Sequence, residues 1–448
     1  MTKNSTLFHC TNCDYRPAKW VGCCPECSEW GSITEKVPTT ASLSQRRTGS
    51  INLKHLEDIP DTHHTRLLTG IDEWDRVMGG GIVPGSLIII TGDPGIGKST
   101  LLLHVAHTLA AHKKVFYFSS EESLTQVKHR AARLDCMQNP LLFSDQAHVE
   151  SIIESCLAHR PDLIVIDSIQ NCYSNNAQVI PGSIGQLREA AFSFMRLAKE
   201  NNIAIIITGH ITKEGTIAGP KMLEHMVDAV FYLQGEEQWH IRMLRAVKNR
   251  FGSINELGFF QMEASGLHQV PNINQQMLND ISHAPGSALI STLEGSRPIL
   301  LELQALTVPA KFGIPQRIIT GIDHKQVTLI AAILEKYLQI NLSSHDIFFK
   351  VSGNFKIKES SVDLGIALAL LSTYFQQPLP EKSLAIAEIS LTGAIKPVNH
   401  IGIHAQEAAK FGLKNLFLSH NQTYEQPHPL PLHRLKNVYE LVGFFGAK

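Results

Sequence analysis

Residues Gly92-Asp93-Pro94-Gly95-Ile96-Gly97-Lys98-Ser99 match the pattern GxxxxGK[ST] without departure. Its glycines let consecutive backbone N–H groups turn inward around a β-phosphate, and a following helix adds a favourable dipole. Lys98 is the cation to bridge β- and γ-phosphate oxygens. The Ser99 hydroxyl suits Mg²⁺, and Thr100 extends the contact set. The expected ligands are ATP and Mg²⁺. The apolar run SLIIIT (86–91) precedes the loop as a strand, and Lys98–Ala111 follows as a helix.

Other chemistry-bearing residues sit where apolar runs end. Asp167 closes DLIVID and suits a carboxylate behind the Mg²⁺. Glu121 and Glu122 follow VFYFSS, where a carboxylate can take a proton from an attacking water. Glu121 comes first off the strand and is preferred, though spacing alone leaves the two open. His210 follows IAIIITG, in place to sense a γ-phosphate by hydrogen bonding. Lys248-Asn249-Arg250-Phe251-Gly252 closes the strand-like run WHIRMLRAV (239–247). Lys248 and Arg250 alternate, so both can project on one face and reach a neighbouring subunit's γ-phosphate. The bland reading of that segment is a solvated hairpin.

A second constellation lies at the start of the chain. Cys10–Cys13 and Cys24–Cys27 are two CxxC pairs, and they hold most of a Cys-rich opening. Four thiolates make a closed tetrahedral Zn²⁺ site, structural rather than catalytic, whose metal supplies folding energy to a module too small for a core. Cys23 is a bystander, since using it would spoil the spacing.

These residues need a scaffold. Five short apolar runs (86–91, 115–120, 162–167, 203–208, 228–233) alternate with helical stretches such as Ser123–Leu134 and Ser183–Lys199. That alternation predicts an α/β core whose parallel sheet is covered on both faces. The 448 residues divide into a zinc knuckle (1–35), a polar linker (36–58), the ATPase core (59–270), a second linker (271–284) and an α+β tail (285–448). The 40 Lys+Arg against 41 Asp+Glu exclude attachment to nucleic acid or membrane by bulk charge. With 43% hydrophobic residues the chain is not disordered as a whole. No apolar run approaches a membrane span, and the first residues lack a secretory pattern, so a reducing cytoplasm is the expected compartment.

The ordered set CxxC…CxxC, GDPGIGKS, SSEES, DSIQ, GHITKEG, KNRFG and a tail with EGSRP and TGID resembles the bacterial RadA (Sms) family of DNA-recombination and repair ATPases over essentially the whole chain. The resemblance implies a RecA-like P-loop core with a zinc finger and a Lon-protease-like tail. It also implies a hexameric ring that binds single-stranded and branched DNA, acts with the recombinase RecA, and drives branch migration. It supports Lys98 and Ser99 at nucleotide and Mg²⁺, Asp167 as the Walker B carboxylate, and Glu121 as the catalytic one. Lys248 and Arg250 fall in the motif that couples ATP to DNA. Asn171–Gly182 and Ile211–Glu224, the latter with Lys213 and Lys221, fall where such motors place DNA-facing loops.

In the tail, the Lon-type serine position falls on Ser361 and the lysine position on His404. Without that lysine, peptidase activity is not expected, and Ser361 reads as a helix cap. Lys311, Arg317, Lys325, Lys350, Lys356 and Lys358 are its candidate phosphate contacts. Rival readings are a RecA-like signalling ATPase or kinase and an ATP-dependent protease.

Overall fold

The computed structural model describes residues 7–10, 20–25, 30, 31, 33–36, 55–58, 65–174, 183–210, 223–235, 241–279, 281–311, 313–352, 355–424 and 430–446. The chain forms two compact units, Met1–His63 and His64–Lys448. In the first, β1 (Leu7–Cys10) pairs antiparallel with β2 (Ile33–Lys36). A bridge joins Cys23 to Trp30, and the Gly31 N–H donates to the Gly22 carbonyl at 2.9 Å. Cys10 ends β1 and Cys24 is buried. Cys13 and Cys27 lie outside the described residues, as does most of the 36–58 linker. Among the described residues no group of three His, Cys, Asp or Glu is placed to hold a metal.

The second unit opens with α1 (Asp72–Val77) and then builds a mixed sheet. Its strands are β3 (Leu87–Gly92), β4 (Val115–Ser119), β5 (Leu142–Ser144), β6 (Leu163–Asp167), β7 (Ala204–His210), β8 (Ala229–Gly235), β9 (Ile241–Asn249), β10 (Leu257–Glu263) and β11 (Gly266–Gln269). The order is β11-β10-β9-β8-β3-β7-β6-β4-β5. Strands β3 to β8 are mutually parallel, and their β-branched runs are buried because both faces are covered. On one face, α2 (Lys98–Ala110) sets Leu102, Val105 and Leu109 against Ile88, Ile90, Val165 and Ile206. On the other, α4 (Val149–His159) and α5 (Ile184–Asn201) bring Ile152, Phe194 and Leu197 against Ile89, Ile164 and Ile207. Between them α3 (Leu124–Arg133) begins with a capping box in which Ser123 and Gln126 satisfy each other's backbone N–H groups. The antiparallel extension β9–β11 departs from the expected parallel sheet. Hairpin reversals, not helical crossovers, follow β9 and β10, and they turn the chain back on itself.

The segment 271–284, expected as a linker, instead carries α6 (Ile273–Asn279). Ile273 and Met277, one turn apart, are buried with Leu257 and Phe259 of the ATPase core and with the tail's own apolar residues. Asn274 Nδ2 donates to the Pro298 carbonyl at 2.9 Å, and its Oδ1 accepts from the Leu300 N–H at 2.9 Å. A polar side chain spent on backbone pairing hides a helix from a search for apolar periodicity.

The tail contains β12 (Ser287–Glu294), β13 (Arg297–Pro309), β14 (Arg317–Thr320), α7 (His324–Leu338), β15 (His345–Val351), α8 (Asp363–Phe375), β16 (Ser383–Ala385), a two-stranded pair β17 (Glu388–Ile389) and β18 (Ile395–Lys396), α9 (Ile401–Lys410), β19 (Asn415–Ser419) and β20 (Leu432–Leu435). The large sheet runs β14-β15-β13-β12-β16-β19-β20. The apolar stretch 364–371 lies in α8, buried on every side beneath that sheet. No described helix is long and apolar enough to cross a membrane.

The β12–β13 turn docks on the ATPase core. A Cβ on Gly295 would fall 1.9 Å from the Asn255 carbonyl oxygen, so the turn has no room for a side chain there. Arg297 Nη1 sits 2.8 Å from Glu73 Oε2, and its guanidinium lies 4.9 Å from the centre of the Phe259 ring. Glu73 is 1% exposed and also meets Arg76 and the Phe259 N–H. Arg76 and the Phe259 N–H stay on Glu73 when Arg297 is removed, so the carboxylate keeps one counter-ion and the loss is that of the second ion pair and the ring contact. Arg297→Ala is therefore expected to lower unfolding free energy by about 1–2 kcal/mol in a urea titration, less than for an uncompensated buried charge, and a loss under about 0.5 would refute the docking role.

Candidate nucleotide site

The loop Asp93–Gly97 links the end of β3 to the first turn of α2, and its backbone explains its composition. Gly92 has φ 154°, and a Cβ there would lie 2.3 Å from the Leu233 carbonyl oxygen of β8. Gly95 and Gly97 have φ 76° and 110°, in the region that favours glycine. Gly97 precedes α2 directly, and its carbonyl accepts from the Leu101 N–H at 2.9 Å. The first turn of α2 therefore carries Lys98, Ser99 and Thr100 beside N–H groups that have no helical partner.

Lys98 is buried. Its Nζ donates to the carbonyls of Gly92 at 2.9 Å and Asp93 at 3.0 Å, within its own loop. Burial pushes its pKa down, while Asp167, Glu121 and Asp93 pull it up. Asp167 ends β6, also buried. Its Oδ2 accepts from the Tyr117 hydroxyl and its Oδ1 from the Thr208 hydroxyl, both at 2.8 Å. Tyr117 and Thr208 belong to β4 and β7, the two neighbours of β6. Burial beside Asp167 raises the Tyr117 pKa, which keeps it a donor.

The two glutamates that spacing leaves open have different surroundings. Glu122 pairs with Arg130 of α3. Glu121 accepts from the Ser168 hydroxyl, next to Asp167, and acts electrostatically on Lys98. Ser120 ties the two strand ends together: its hydroxyl donates to the Ser168 carbonyl at 2.7 Å and accepts from the Ser168 N–H at 3.0 Å. His210 ends β7 in register with Gly92; its side chain lies outside the described residues, like Lys213 and Lys221.

Lys248 and Arg250 are not brought to this loop. Lys248 lies opposite Val230 on β8, and the Arg250 N–H donates to the Asp228 carbonyl at 3.2 Å. The Asp228 N–H in turn donates to the carbonyl of Leu87, the first residue of β3. At ~3.3 Å per residue, Arg250 is roughly 16 Å along the sheet from Gly92. Lys248 Nζ donates to the carbonyls of Glu224 at 2.5 Å and Val227 at 2.7 Å, and burial lowers its pKa.

Four residues at or behind the loop escape a reading of the sequence. Tyr117, Thr208 and Ser168 hold the carboxylates, and Arg242 Nε donates to the Ile96 carbonyl at 3.3 Å. Thr208 leaves a signal, as the one polar residue near the end of a buried apolar run. Arg242 does not, because contact between β9 and the loop depends on the antiparallel return.

In the tail, His404 of α9 is 2% exposed and its Nδ1 lies 2.7 Å from the Ser291 hydroxyl of β12. Burial, aided by His400, pushes its pKa down to about 4. Ser361 donates to Glu359 at 3.1 Å. It is not a helix cap: α8 begins after Val362, with no side-chain cap, because Ser360–Val362 form a separate 3₁₀ turn.

A glycine-rich loop between β3 and α2, at the carboxyl ends of parallel strands, with Asp167 behind it, defines a P-loop ATPase core. Residues 54–216 match the family described as the AAA domain, and residues 312–422 match subunit ChlI of Mg-chelatase. The DNA repair protein RadA of Halalkalibacterium halodurans is 43% identical over 425 residues, 93% of either chain. That of Listeria monocytogenes is 44% identical over 424 residues, 94% of this chain and 93% of the relative. That of Bacillus subtilis is 41% identical over 426 residues, again 93% of both. Among solved structures, the RadB recombinase is 20% identical and aligns over 46% of this chain and 99% of its own, with a TM-score of 0.36. The chain belongs to the family of DNA repair protein RadA.

The neutral His404 makes stability depend on pH. Between about 6.5 and about 4 the unfolded chain binds a proton that the folded one refuses, so stability falls on acidification through that window. Asp363, raised to about 6, acts in the opposite direction. Comparison with His404→Gln isolates the histidine: its unfolding free energy from urea titration is expected to lose less between pH 6.5 and 4, by up to about 3 kcal/mol. Parallel curves would refute the assignment.

Proposed function

We propose that the chain is a DNA-dependent ATPase motor of recombinational repair, binding single-stranded DNA and promoting branch migration in the cytoplasm. One observation carries the reading: a complete phosphate loop stands at one end of the sheet, and the Lys248–Arg250 cations stand at the other. Membership of the RadA family supports the process in which it acts.

The residues fit ATP and Mg²⁺. Lys98, now bonded to its own loop's carbonyls, has only to turn outward to meet β- and γ-phosphate oxygens. Gly92, Asp93, Pro94, Gly95, Ile96 and Gly97 supply the backbone cradle, with Ser99 and Thr100 at its base. Ser99 and Asp167 are the residues to hold Mg²⁺, which when bound neutralises charge on the phosphates. Glu121 orients the attacking water and takes its proton. Its link to Ser168 and its coupling to Lys98 favour it over Glu122, whose charge Arg130 engages. His210, in register with Gly92, reads the γ-phosphate.

Arg250 and Lys248 act across a subunit boundary. Their place at the far end of β3 puts them out of reach of their own loop, and a head-to-tail ring, hexameric in this reading, brings them to a neighbour's nucleotide. The segments 171–182 and 211–224 face DNA, and RecA is the recombinase partner. Cys10, Cys13, Cys24 and Cys27 hold structural zinc. The tail is a Lon-like platform whose lysines, among them Lys311, Lys325, Lys350, Lys356 and Lys358, meet phosphates. It does not cleave peptides, because Ser361 pairs with a carboxylate and His404 is engaged by Ser291.

ATP turnover measured with and without single-stranded DNA tests the motor. Stimulation by DNA, lost together with all turnover in Lys98→Ala, is the expected result; equal rates with and without DNA would overturn it. Cys24→Ser is expected to lose the bound zinc counted by atomic absorption, and an unchanged metal content would reject the four-thiolate site.

A further inference from the structure

Asp228, the residue before β8, is 4% exposed, and its carboxylate gathers three donors. Oδ2 accepts from the Leu87 N–H at 3.1 Å and from Lys199 Nζ at 2.7 Å. Oδ1 accepts from Arg250 Nη1 at 3.3 Å. Lys199 lies in the last turn of α5, and its ammonium is 5.9 Å from the centre of the Phe251 ring. Two cations from distant parts of the chain thus share one buried carboxylate, and the shorter contact belongs to Lys199. Lys248 stands next to them but bonds the carbonyls of Glu224 and Val227.

Sharing sets how easily Arg250 can leave. A buried carboxylate stripped of its only counter-ion is strongly disfavoured, so a guanidinium paired with it alone would be held in place. With Lys199 and the Leu87 N–H both on Oδ2, Asp228 stays compensated when Arg250 departs. The Arg250 side chain is 60% exposed and has room to turn outward.

We propose that Lys199 is a positioning residue for Arg250: it neutralises Asp228, which frees the guanidinium to exchange that carboxylate for a phosphate of the adjoining subunit's nucleotide. The inference rests on the reading of Arg250 as acting across a subunit boundary. Without Lys199, Asp228 competes with the phosphate for the same guanidinium. The bland role of Lys199, a salt bridge that steadies α5, predicts no dependence of turnover on the charge of Asp228.

Steady-state ATP turnover by the full chain with single-stranded DNA separates the two. Lys199→Gln is expected to lower kcat about tenfold, a fraction of the ~10³–10⁵ that such a cation supplies. Its KM for ATP should stay within about twofold, since the lost interaction belongs to the transition state. Lys199→Arg restores the counter-charge and should keep the parental kcat. In the double variant Lys199→Gln with Asp228→Asn the competing charge is gone, so kcat should return to that of Asp228→Asn alone. A parental kcat in Lys199→Gln, or a double variant as slow as Lys199→Gln, overturns the proposal. Arg250→Ala tells the two failures apart. If it turns over at the parental rate, the cross-subunit reading falls; if it is slow while Lys199→Gln is not, only the role of Lys199 falls.

Discussion

The ATPase core is arranged around one charge taken out of water, the ammonium of Lys98. Burial at the start of α2 works against its protonated form, and three carboxylates, Asp167, Glu121 and Asp93, work for it. Those carboxylates cannot come from neighbouring residues alone. Asp167 and Glu121 come from the ends of β6 and β4, which join the sheet beyond β7. Parallel strands deliver their carboxyl ends to one edge, and that geometry lets an ammonium and two remote carboxylates share a site. Tyr117 and Thr208 then clamp Asp167 from both sides, so its oxygens are oriented before any ligand arrives.

The same sheet has a second edge. The antiparallel return of β9 carries the chain from Arg242, bonded to the tip of the phosphate loop, to Lys248 beside the amino end of β8. Cations at the amino ends of parallel strands face away from the phosphate site of their own subunit. A single subunit therefore presents a phosphate cradle on one edge and two cations on the opposite one. A surface with two unlike, complementary edges is suited to heterologous, head-to-tail assembly.

Much of this is legible in the residues. The GxxxxGKS loop, five of the six parallel strands and Asp167 follow from local pattern, because a buried parallel strand must be apolar throughout and its polar terminus stands out; the short, partly exposed β5 does not. Glu121 and Glu122 are not separable by spacing, since the difference lies in Arg130 and Ser168, partners from other elements. Helix α6 escapes detection because Asn274 spends its amide on the backbone of β13, and apolar periodicity reads such a residue as a break. Ser361 has the residue type of a cap, yet a 3₁₀ turn intervenes, a distinction of backbone geometry that composition does not carry. Asp228 and Lys199 are invisible because their pairing joins α5 to the start of β8, and Asp228 meets Arg250 only through the tertiary return of β9.

The motif EGSRP shows what such a return accomplishes. Its Glu294 bonds Arg245 of β9 at 2.7 Å, and its Arg297 reaches buried Glu73 of α1. One strand thus touches the phosphate loop through Arg242, the tail through Arg245, and the amino edge of the sheet through Lys248. Contiguity by itself is not coupling; an element with two arrangements is needed before a change at one contact biases another. The strand is held on both sides by main-chain hydrogen bonds to β8 and β10, so it is poorly suited to be that element. The side chains at its ends are better suited. Lys98 and Arg250 are both held by groups of their own subunit, one at each edge of the sheet, and in the proposed reading a phosphate draws each of them away. An ATPase built this way needs no large deformation of its core, because the nucleotide competes for side chains that the fold already presents.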